Sequence, residues 1–493
     1  MRQSGILMHI TSLPGPYGIG TMGKSAYEFV DFLHAAGQSQ WQILPLNPTG
    51  FGDSPYQSCS AYAGNPYLID LDILMQQGLL EKADLEGCFW GNDPLRVDFG
   101  AQYNARMKVL EKAFARFTPD DDYHRFLWEN QFWLPDFAHF MVLKEVYPGT
   151  TWQSWPQELK FRQSQALSDS FNKHSHRIHL YCFVQYQFAK QWQALRAYAH
   201  QKGVSIIGDV PIYVPLDSCE VWCNPSLFQL DEQLRPTAVA GCPPDAFTED
   251  GQLWGNPLYD WDEHKRQGYS WWLRRLAAAG KLYDTIRLDH FRGFEAYWSV
   301  PAGDTNARGG RWVKGPGMDF IDAIQRQLPD IRLIAEDLGY LTQEVLDMRD
   351  NSGLPGMKVL QFAFDTLGPD DYQTHAYITN TVCYTGTHDN MTMPQWFEET
   401  DPKVVEYAVA YMALTKEEGY VWGTIRTAMA SVSALSMVQM QDYLGLGGQA
   451  RMNFPGTLGT NWTWRAPQGY LTQALADRIY QMTRRYDRLG CKH

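Results

Sequence analysis

The chain has 493 residues, a formal net charge of −13, 44% hydrophobic residues and 14% aromatic residues. A chain of this length can bury a large core without disulfides or structural metal ions. The acidic balance and the lack of a dense Lys/Arg block argue against a nucleic-acid-binding protein, and 20% charged residues are typical of a globular rather than a disordered chain.

Eight short apolar runs, five of which end in aspartate or histidine, are typical of parallel strands that are buried on both faces. In chain order they cover residues 5–10, 41–46, 204–209, 285–290, 332–337, 357–362, 382–389 and 436–442. Helical patterns separate many of them. Ser25 and Glu28 match a capping box at a helix start, and Gly280 follows a helical pattern over 271–279 as a stop signal. This alternation predicts an α/β fold, either a (β/α)8 barrel or a doubly wound sheet.

Two intervals between the apolar runs are much longer than a β/α unit needs, so we expect inserted subdomains. The stretch of about 70–200 carries helical patterns, whereas the stretch of about 213–283 is rich in Pro, Gly and aromatic residues, as loops are. We therefore predict one catalytic unit over 1–493 that contains a mainly helical insertion and a loop-rich insertion.

Cofactor motifs are weak in this sequence. Residues 18–23 spell GxGxxG, but no acidic residue ends the second apolar run as a dinucleotide site requires, so a tight glycine loop is the better interpretation. Cys219, Cys223 and Cys242 lack the spacing of a zinc site. The histidines within 174–179 are interpreted as a solvated face, with a metal site as the second choice. We expect neither a metal ion nor an organic cofactor.

The eight cysteines are scattered along the chain, which is typical of free thiols in a reducing compartment. No apolar run has the length of a membrane span, and the N-terminal residues lack a signal-peptide core. We expect a cytoplasmic protein that does not act at a membrane.

Four acidic residues stand at the ends of predicted strands: Asp209, Asp289, Glu336 and Asp389. In a barrel the carboxyl ends of the strands meet at one mouth, where active sites lie. A single aspartate at such a place is often a helix cap, but four like charges on separate strands cost free energy unless function uses them.

The neighbours of these acids suggest different roles. Arg287 precedes Asp289 by two residues, so both side chains leave the strand on one face and the guanidinium keeps the carboxylate ionised, as a nucleophile requires. Glu336 follows the apolar residues 333–335, a setting that raises a carboxyl pKa toward that of an acid catalyst. His388 supplies a hydrogen-bond donor beside Asp389. An acid and a nucleophilic carboxylate about 5 Å apart cleave glycosidic bonds with retention.

Aromatic loops are consistent with a sugar substrate. The stretches 244–257 and 461–465 combine Trp with Asp, Asn and Arg, and flat rings pack on the apolar faces of sugars while polar groups bind the hydroxyls. Each single aromatic residue is more often part of a core than a ligand platform. Trp254, beside Asn256 in a Gly- and Pro-rich loop, is the better candidate.

Seven sequence blocks, in order from residue 4 to about 465, carry a specific family resemblance. They are residues 4–7 together with 11–20, 52–57 (GDSPYQ), 208–214 (GDVPIYV), 254–257 (WGNP), 287–293 (RLDHFRG), 335–339 (AEDLG) and 386–390 (GTHDN). The chain resembles the amylomaltases, the 4-α-glucanotransferases of glycoside hydrolase family 77. The resemblance implies a (β/α)8 TIM barrel with inserted subdomains and without a C-terminal β-sandwich domain.

The resemblance also implies roles for individual residues. It places the nucleophile at Asp289, the acid/base at Glu336 and a transition-state-stabilising carboxylate at Asp389. By similarity, the sugar at the cleavage point is surrounded by Tyr56, Asp209, Arg287 and His388. Neighbouring glucose units would be bound by Trp254, Asn256, His290, Asp365 and Asn461. One departure is Met391, which stands where family members commonly have Asp and puts the hydrogen bonding of that loop in question.

The expected activity is transfer of a segment of an α-1,4-glucan, such as a maltooligosaccharide, to the 4-hydroxyl of another glucan or of glucose. An α-amylase-type hydrolase is the alternative. A non-catalytic glucan-binding scaffold is the second alternative, although it would be expected to lack one of the three carboxylates, and all three are present. The oligomeric state and the preferred chain length are left open.

Overall fold

The computed structural model describes residues 2–244, 249–339 and 341–490. The strands are β1 (Gln3–Leu7), β2 (Gln40–Gln42), β3 (Ser205–Val210), β4 (Ala238–Cys242), β5 (Gln252–Pro257), β6 (Thr285–Leu288), β7 (Ala296–Pro301), β8 (Arg311–Lys314), β9 (Leu333–Ala335), β10 (Gly356–Val359), β11 (Thr381–Tyr384) and β12 (Leu435–Gln439).

The α-helices are α1 (Lys24–Ala35), α2 (Leu71–Gln76), α3 (Phe99–Arg116), α4 (Asp121–Glu129), α5 (Leu134–Val146), α6 (Gln157–Lys160), α7 (Ser164–Lys173), α8 (Ser175–Gln201), α9 (Cys219–Cys223), α10 (Trp261–Arg266), α11 (Ser270–Leu282), α12 (Met318–Gln327), α13 (Gln343–Ser352), α14 (Met393–Glu399), α15 (Pro402–Tyr411), α16 (Tyr420–Ala430), α17 (Met440–Tyr443) and α18 (Gln473–Arg485). Among the described residues, none of these helices combines the length and the apolar character that crossing a membrane requires.

Eight parallel strands form the central sheet in the order β10-β11-β12-β1-β2-β3-β6-β9. Each strand lies beside the next one of this sheet in the chain, and the first of them, β1, pairs with the last, β12. This cyclic chain order is typical of a (β/α)8 barrel and differs from the reversed order of a doubly wound sheet. The predicted barrel is therefore confirmed, and each of the eight apolar runs overlaps one of its strands.

The barrel closes between β9 and β10 through contacts other than a regular ladder. The Ala335 amide donates to the carbonyl of Pro355 at 2.9 Å. One residue beyond the acid Glu336, the buried Asp337 accepts a hydrogen bond from the Met357 amide at 2.7 Å and pairs with Arg349 at 2.7 Å. The Asp337 carboxylate thus joins the two strands at this seam, and Arg349 on α13 pairs with that carboxylate.

The barrel interior is an apolar plug that supports the mouth. Its buried side chains come from five different strands: Ile207, Ile334, Met357, Val359, Val382, Tyr384 and Met437. Asp209 and Glu336 follow Ile207 and Ile334 by two residues and therefore share their face. Because this plug is buried, the polar side chains of Asp209 and Glu336 form a layer next to it at the mouth of the barrel.

Close packing also fixes the backbone before Asp209. A Cβ atom at Gly208 would lie 2.1 Å from the ring of Tyr283, so the ring packs directly on the strand backbone. The Tyr283 hydroxyl accepts a hydrogen bond from the Leu46 amide at 3.2 Å, after β2. Only glycine allows this approach, through which Tyr283, just before β6, contacts both strand β3 and the loop after β2.

The two long intervals contain most of the structure outside the barrel. Helices α2 to α8 lie between β2 and β3, and the longest, α8, returns the chain to the barrel. Strands β4 and β5 lie between β3 and β6, and they join β7 and β8 in an antiparallel sheet of order β5-β4-β7-β8. The boundaries that the sequence suggests for the two insertions remain predictions.

Element ends differ from the sequence-based expectations. The barrel strands end two to five residues before the polar groups that end several of the predicted runs, so those groups stand in loops. The capping-box prediction is wrong, because α1 begins at Lys24 and its cap position is Gly23. The Asp70 carboxylate packs against Gly23 in the space that a side chain at this position would need. The predicted stop at Gly280 is also wrong, because α11 continues to Leu282.

Candidate active site

The four predicted acids lie at the carboxyl ends of barrel strands. Asp209 lies near the end of β3, Asp289 and Glu336 follow β6 and β9 directly, and Asp389 lies in the loop after β11. Their exposure differs: the Asp209 side chain is 0% exposed, whereas that of Asp389 is 42% exposed. The mouth of the barrel therefore contains both buried and solvent-exposed carboxylates.

A buried guanidinium connects three of these carboxylates. Arg287 Nη1 lies 2.6 Å from Asp209 Oδ2 and 3.0 Å from Asp289 Oδ1, and its Nη2 lies 3.9 Å from Glu336 Oε2. The Arg287 side chain is 4% exposed. Because a buried charge requires partners, this cluster holds the carboxylates of Asp289 and Glu336 on one cation.

Glu336 lies in the setting expected for an acid catalyst. Its Oε2 accepts a hydrogen bond from the His290 amide at 2.6 Å, and its Oε1 accepts one from the Leu338 amide at 2.9 Å. Burial raises the pKa of Glu336 to about 8, and the Asp289 charge adds to this rise while Arg287 opposes it. The carboxyl group therefore holds a proton at neutral pH.

The backbone at His290 explains how the amide reaches Glu336. His290 has φ = 51° and ψ = 49°, a left-handed conformation that few residues with a Cβ adopt. This turn directly after Asp289 lets the His290 N–H point to the neighbouring strand end. Such backbone geometry is common at functional sites.

Asp389 is held by groups from the loop after β12. Its Oδ1 accepts a hydrogen bond from Asn453 Nδ2 at 2.6 Å, its backbone carbonyl accepts one from Arg451 at 2.8 Å, and its Oδ2 lies 3.3 Å from His388 Nε2. Sequence reasoning missed Asn453 and Arg451. No local pattern marks these two residues, because they reach Asp389 only through the fold.

An aromatic wall stands beside these groups. The ring of Tyr56 stacks on His388 with centroids 5.2 Å apart and an angle of 14°, and Trp462 lies 5.7 Å from Tyr56. The Tyr56 hydroxyl donates to Asp209 Oδ2 at 2.8 Å. Trp462 belongs to the aromatic stretch 461–465 but was not among the predicted site residues. The mouth thus combines carboxylates with flat rings, as a sugar-binding site does.

Comparison with known proteins identifies the relatives of this chain. The family model described as 4-alpha-glucanotransferase, glycoside hydrolase family 77, matches residues 8–472. The chain belongs to this 4-α-glucanotransferase family. It is 50% identical to the 4-alpha-glucanotransferase of Clostridium butyricum over 98% of this chain and 100% of that protein. It is 44% identical to that of Thermus thermophilus over 99% of both chains.

A solved structure shows the same relationship. The amylomaltase of Streptococcus agalactiae in complex with acarbose matches with a TM-score of 0.96 and 43% identity, over 99% of this chain and 100% of that one. The amylomaltase of Corynebacterium glutamicum shares the fold with a TM-score of 0.79 at 18% identity, over 99% of this chain and 75% of that one. The relatives that are 43–50% identical favour the transferase over the hydrolase alternative.

The antiparallel sheet brings a second aromatic group to the mouth of this family member. The rings of Trp254, on β5, and His290 meet edge to face at 4.9 Å, which connects the sheet to the turn after Asp289. Asn256 is buried on the same strand and accepts a hydrogen bond from Gln57 at 3.4 Å. Trp254, Asn256 and His290 are therefore close to the carboxylate cluster.

Two other predicted sugar contacts, Asp365 and Asn461, have surroundings that differ from those of Trp254, Asn256 and His290. Asp365 is exposed after β10, and burial of part of its carboxyl group together with the nearby Asp370 raises its pKa. The amide of Asn461 is buried and engaged within its own loop, accepting from the Phe454 amide at 3.0 Å and donating to the Thr457 carbonyl at 2.9 Å. Residues 245–248 of the aromatic stretch 244–257 lie outside the described residues.

The weak cofactor motifs have structural explanations. A Cβ atom at Gly20 would lie 1.9 Å from the Ile10 carbonyl oxygen, so the glycine-rich segment is a tightly packed turn. The Sγ atoms of Cys219 and Cys223 lie 3.7 Å apart on α9. Among the described residues, no group of three or more His, Cys, Asp or Glu side chains is arranged to hold a metal ion.

The loop that carries Met391 is held by amide side chains. The Met391 carbonyl accepts hydrogen bonds from Gln361 at 2.8 Å and Gln439 at 3.3 Å, and Asn390 Oδ1 accepts one from the Thr387 amide at 2.8 Å. The hydrogen bonds from Gln361 and Gln439 to this loop are therefore made to the backbone carbonyl of Met391 and not to its side chain. Replacement of the common Asp by Met leaves these contacts in place.

Proposed function

We propose that this protein is a 4-α-glucanotransferase that moves a segment of an α-1,4-glucan to the 4-hydroxyl of another glucan by a retaining double displacement. The observation that carries the proposal is the contact of a single buried guanidinium, Arg287, with both Asp289 and Glu336 at the barrel mouth. The two carboxyl groups have different surroundings there: Asp289 is paired with Arg287 at 3.0 Å, whereas Glu336 is buried and has a raised pKa.

In the first half of the reaction, Glu336 protonates the glycosidic oxygen while Asp289 attacks the anomeric carbon. The C–O bond to the leaving glucan breaks as a C–O bond to the Asp289 carboxylate forms. Asp389 faces the developing positive charge on the sugar. Asn453 fixes its orientation, and the amide donors to Glu336 fix the position of the acid.

In the second half, Glu336 accepts the proton of an incoming 4-hydroxyl, and the sugar oxygen displaces Asp289. Retention follows from two inversions at one carbon. Tyr56, Asp209, Arg287 and His388 line the cleavage point, and the remaining sugar contacts are Trp254, Asn256, His290, Asp365 and Asn461. Transfer is favoured over hydrolysis when the acceptor stacks on the Trp254 and His290 rings and excludes water.

Incubation with maltotriose tests the function. We expect a ladder of shorter and longer oligosaccharides, because each glycosyl segment released from one chain is joined to another. Chromatography of the products with time measures this, and a reaction without the protein is the control. Accumulation of only glucose and maltose would support the hydrolase alternative, and no turnover would support a non-catalytic glucan-binding protein.

The raised pKa of Glu336 predicts the pH profile. Since burial places this pKa at about 8, the protonated acid is present below that pH and is lost above it. We expect kcat/KM for maltotriose to fall as the pH rises through about 8. Maltosyl fluoride is the matched control substrate, because its leaving group needs no proton, and its first step should lack this alkaline decline. The same decline for both substrates would contradict Glu336 as the acid.

We further propose that the protein works in the cytoplasm on maltooligosaccharides, as one catalytic unit with insertions over about 70–200 and 213–283. None of the seven cysteines among the described residues forms a disulfide, which supports a reducing compartment. The helices between β2 and β3 and the sheet that includes β4 and β5 support the two insertions.

A further inference from the structure

A small cavity lies beside His388, between the ends of β1 and β12. The space in which the centre of a water molecule can move is about 10 Å³, which is at the lower limit for one water molecule. The lining side chains include His9, Ser12, His388 and Gln439. Both histidine side chains are buried, and His9 follows β1, outside the residues that surround the carboxylates.

His388 has one nitrogen facing the site and one facing the protein. Its Nε2 lies 3.3 Å from Asp389 Oδ2. Its Nδ1 is buried and has no hydrogen-bond partner within the described part of the chain. Burial lowers the pKa of His388, so the ring is neutral and carries one proton. The neighbouring carboxylate holds that proton on Nε2, which leaves Nδ1 as a buried acceptor that needs a donor.

His9 provides a donor on the other side of the cavity. Its Nδ1 accepts a hydrogen bond from the Leu44 amide at 3.2 Å. Burial lowers the pKa of His9 to about 3, with His388 adding to the effect, so this ring is also neutral. Because Nδ1 is an acceptor, the single proton of the His9 ring must be on Nε2.

We propose that His9 is a positioning residue for His388, acting through one water molecule in the cavity that the two rings share. His9 Nε2–H donates to the water, the water donates to Nδ1 of His388, and Nε2–H of His388 donates to Asp389. With the Leu44 amide at its start, this chain of hydrogen bonds has one direction throughout. It selects the His388 tautomer that presents a donor to Asp389 and to the sugar.

This inference rests on the proposed function only for its catalytic consequence, since the tautomers themselves are measurable in the resting protein. Histidine NMR of protein labelled with ¹³C and ¹⁵N in histidine reports the protonated nitrogen of each ring. The signals of the two rings are assigned by their loss in His9→Gln and His388→Gln. We expect the Nε2–H form for both rings at neutral pH. An Nδ1–H form for either ring would overturn the proposal.

Two substitutions of His9 distinguish the effect of losing the Nε2–H donor from the effect of losing the imidazole ring. In His9→Asn the amide oxygen takes the place of Nδ1 and accepts from Leu44, but no donor remains where Nε2 stood. In His9→Gln the amide nitrogen takes the place of Nε2. We expect His9→Asn to lower kcat about 5- to 10-fold with little change in KM, and His9→Gln to recover most of that loss.

The outcomes distinguish this inference from the proposed function. Wild-type protein that fails to extend maltotriose would contradict the proposed function and leave the NMR test of the tautomers standing. Active wild-type protein with an unchanged kcat in His9→Asn would overturn the role of His9. An equal loss of kcat in His9→Gln and His9→Asn would also overturn it, because the ring rather than its donor would then be required.

Discussion

Asp289→Ala is expected to lower the rate of transfer from maltotriose by a factor on the order of 10⁴ or more, as removal of a catalytic nucleophile does. The Asp289 carboxylate lies 3.0 Å from Arg287 and is 25% exposed, so it is both held and open to substrate. Without it, no covalent intermediate can form. Initial rates of product formation, measured by chromatography, check this prediction.

Azide sharpens the test of Asp289. In Asp289→Ala a small anion can enter the space of the lost carboxylate and displace fluoride from α-maltosyl fluoride in a single inversion. We therefore expect β-maltosyl azide, identified by NMR of the anomeric proton. Asp330→Ala, an exposed aspartate outside the mouth, is the matched control and should retain wild-type transfer. Normal turnover by Asp289→Ala would refute its assignment as the nucleophile.

Arg287→Ala is expected to lower the free energy of unfolding by about 3–5 kcal/mol, because it leaves buried carboxylates without their cation. Asp209 is the most affected, since it is fully buried and lies 2.6 Å from the guanidinium. We also expect loss of transfer activity, because Asp289 and Glu336 lose the group that holds both. Urea unfolding and initial rates measure the two effects.

A matched arginine and a second substitution test this explanation. Arg106 is equally buried but donates to the Gln102 side chain and the Ile69 carbonyl rather than to a carboxylate. Arg106→Ala should therefore destabilise the protein but leave the kcat of the folded enzyme unchanged. Adding Asp209→Asn to Arg287→Ala should recover part of the lost stability. No recovery would show that the cost comes from packing rather than from an unpaired charge.

The positions of the acids were open to prediction because strand periodicity and strand ends are local properties. Asp289 directly follows a short apolar strand, and Arg287 shares its face through the two-residue repeat. Asn453 and Arg451 were not predictable in this way. They reach Asp389 from a loop 64 and 62 residues further along the chain, and neither carries a local signal.

The fold shows the same division between local and long-range information. Short apolar runs identified the barrel strands, but the sequence could not show that β7 and β8, which follow β6, complete the sheet of β4 and β5. Pairing between antiparallel strands so far apart depends on how the loops close. At the start of α1, the cap position is Gly23, against which the distant Asp70 carboxylate packs, and not Ser25 as the local pattern predicted.

The seam between β9 and β10 has a consequence for how the two reacting groups respond to thermal fluctuations. Asp289 follows β6, which pairs with a neighbouring strand on each side, whereas Glu336 follows β9, whose outer edge is hydrogen-bonded to the β10 segment, among the described residues, only by the Ala335 amide and the Asp337 carboxylate. A transient parting of the barrel wall would begin at that edge. Glu336, the proton donor, would then be displaced while Asp289, the nucleophile, kept its position. Thermal inactivation would therefore first impair protonation of the leaving group.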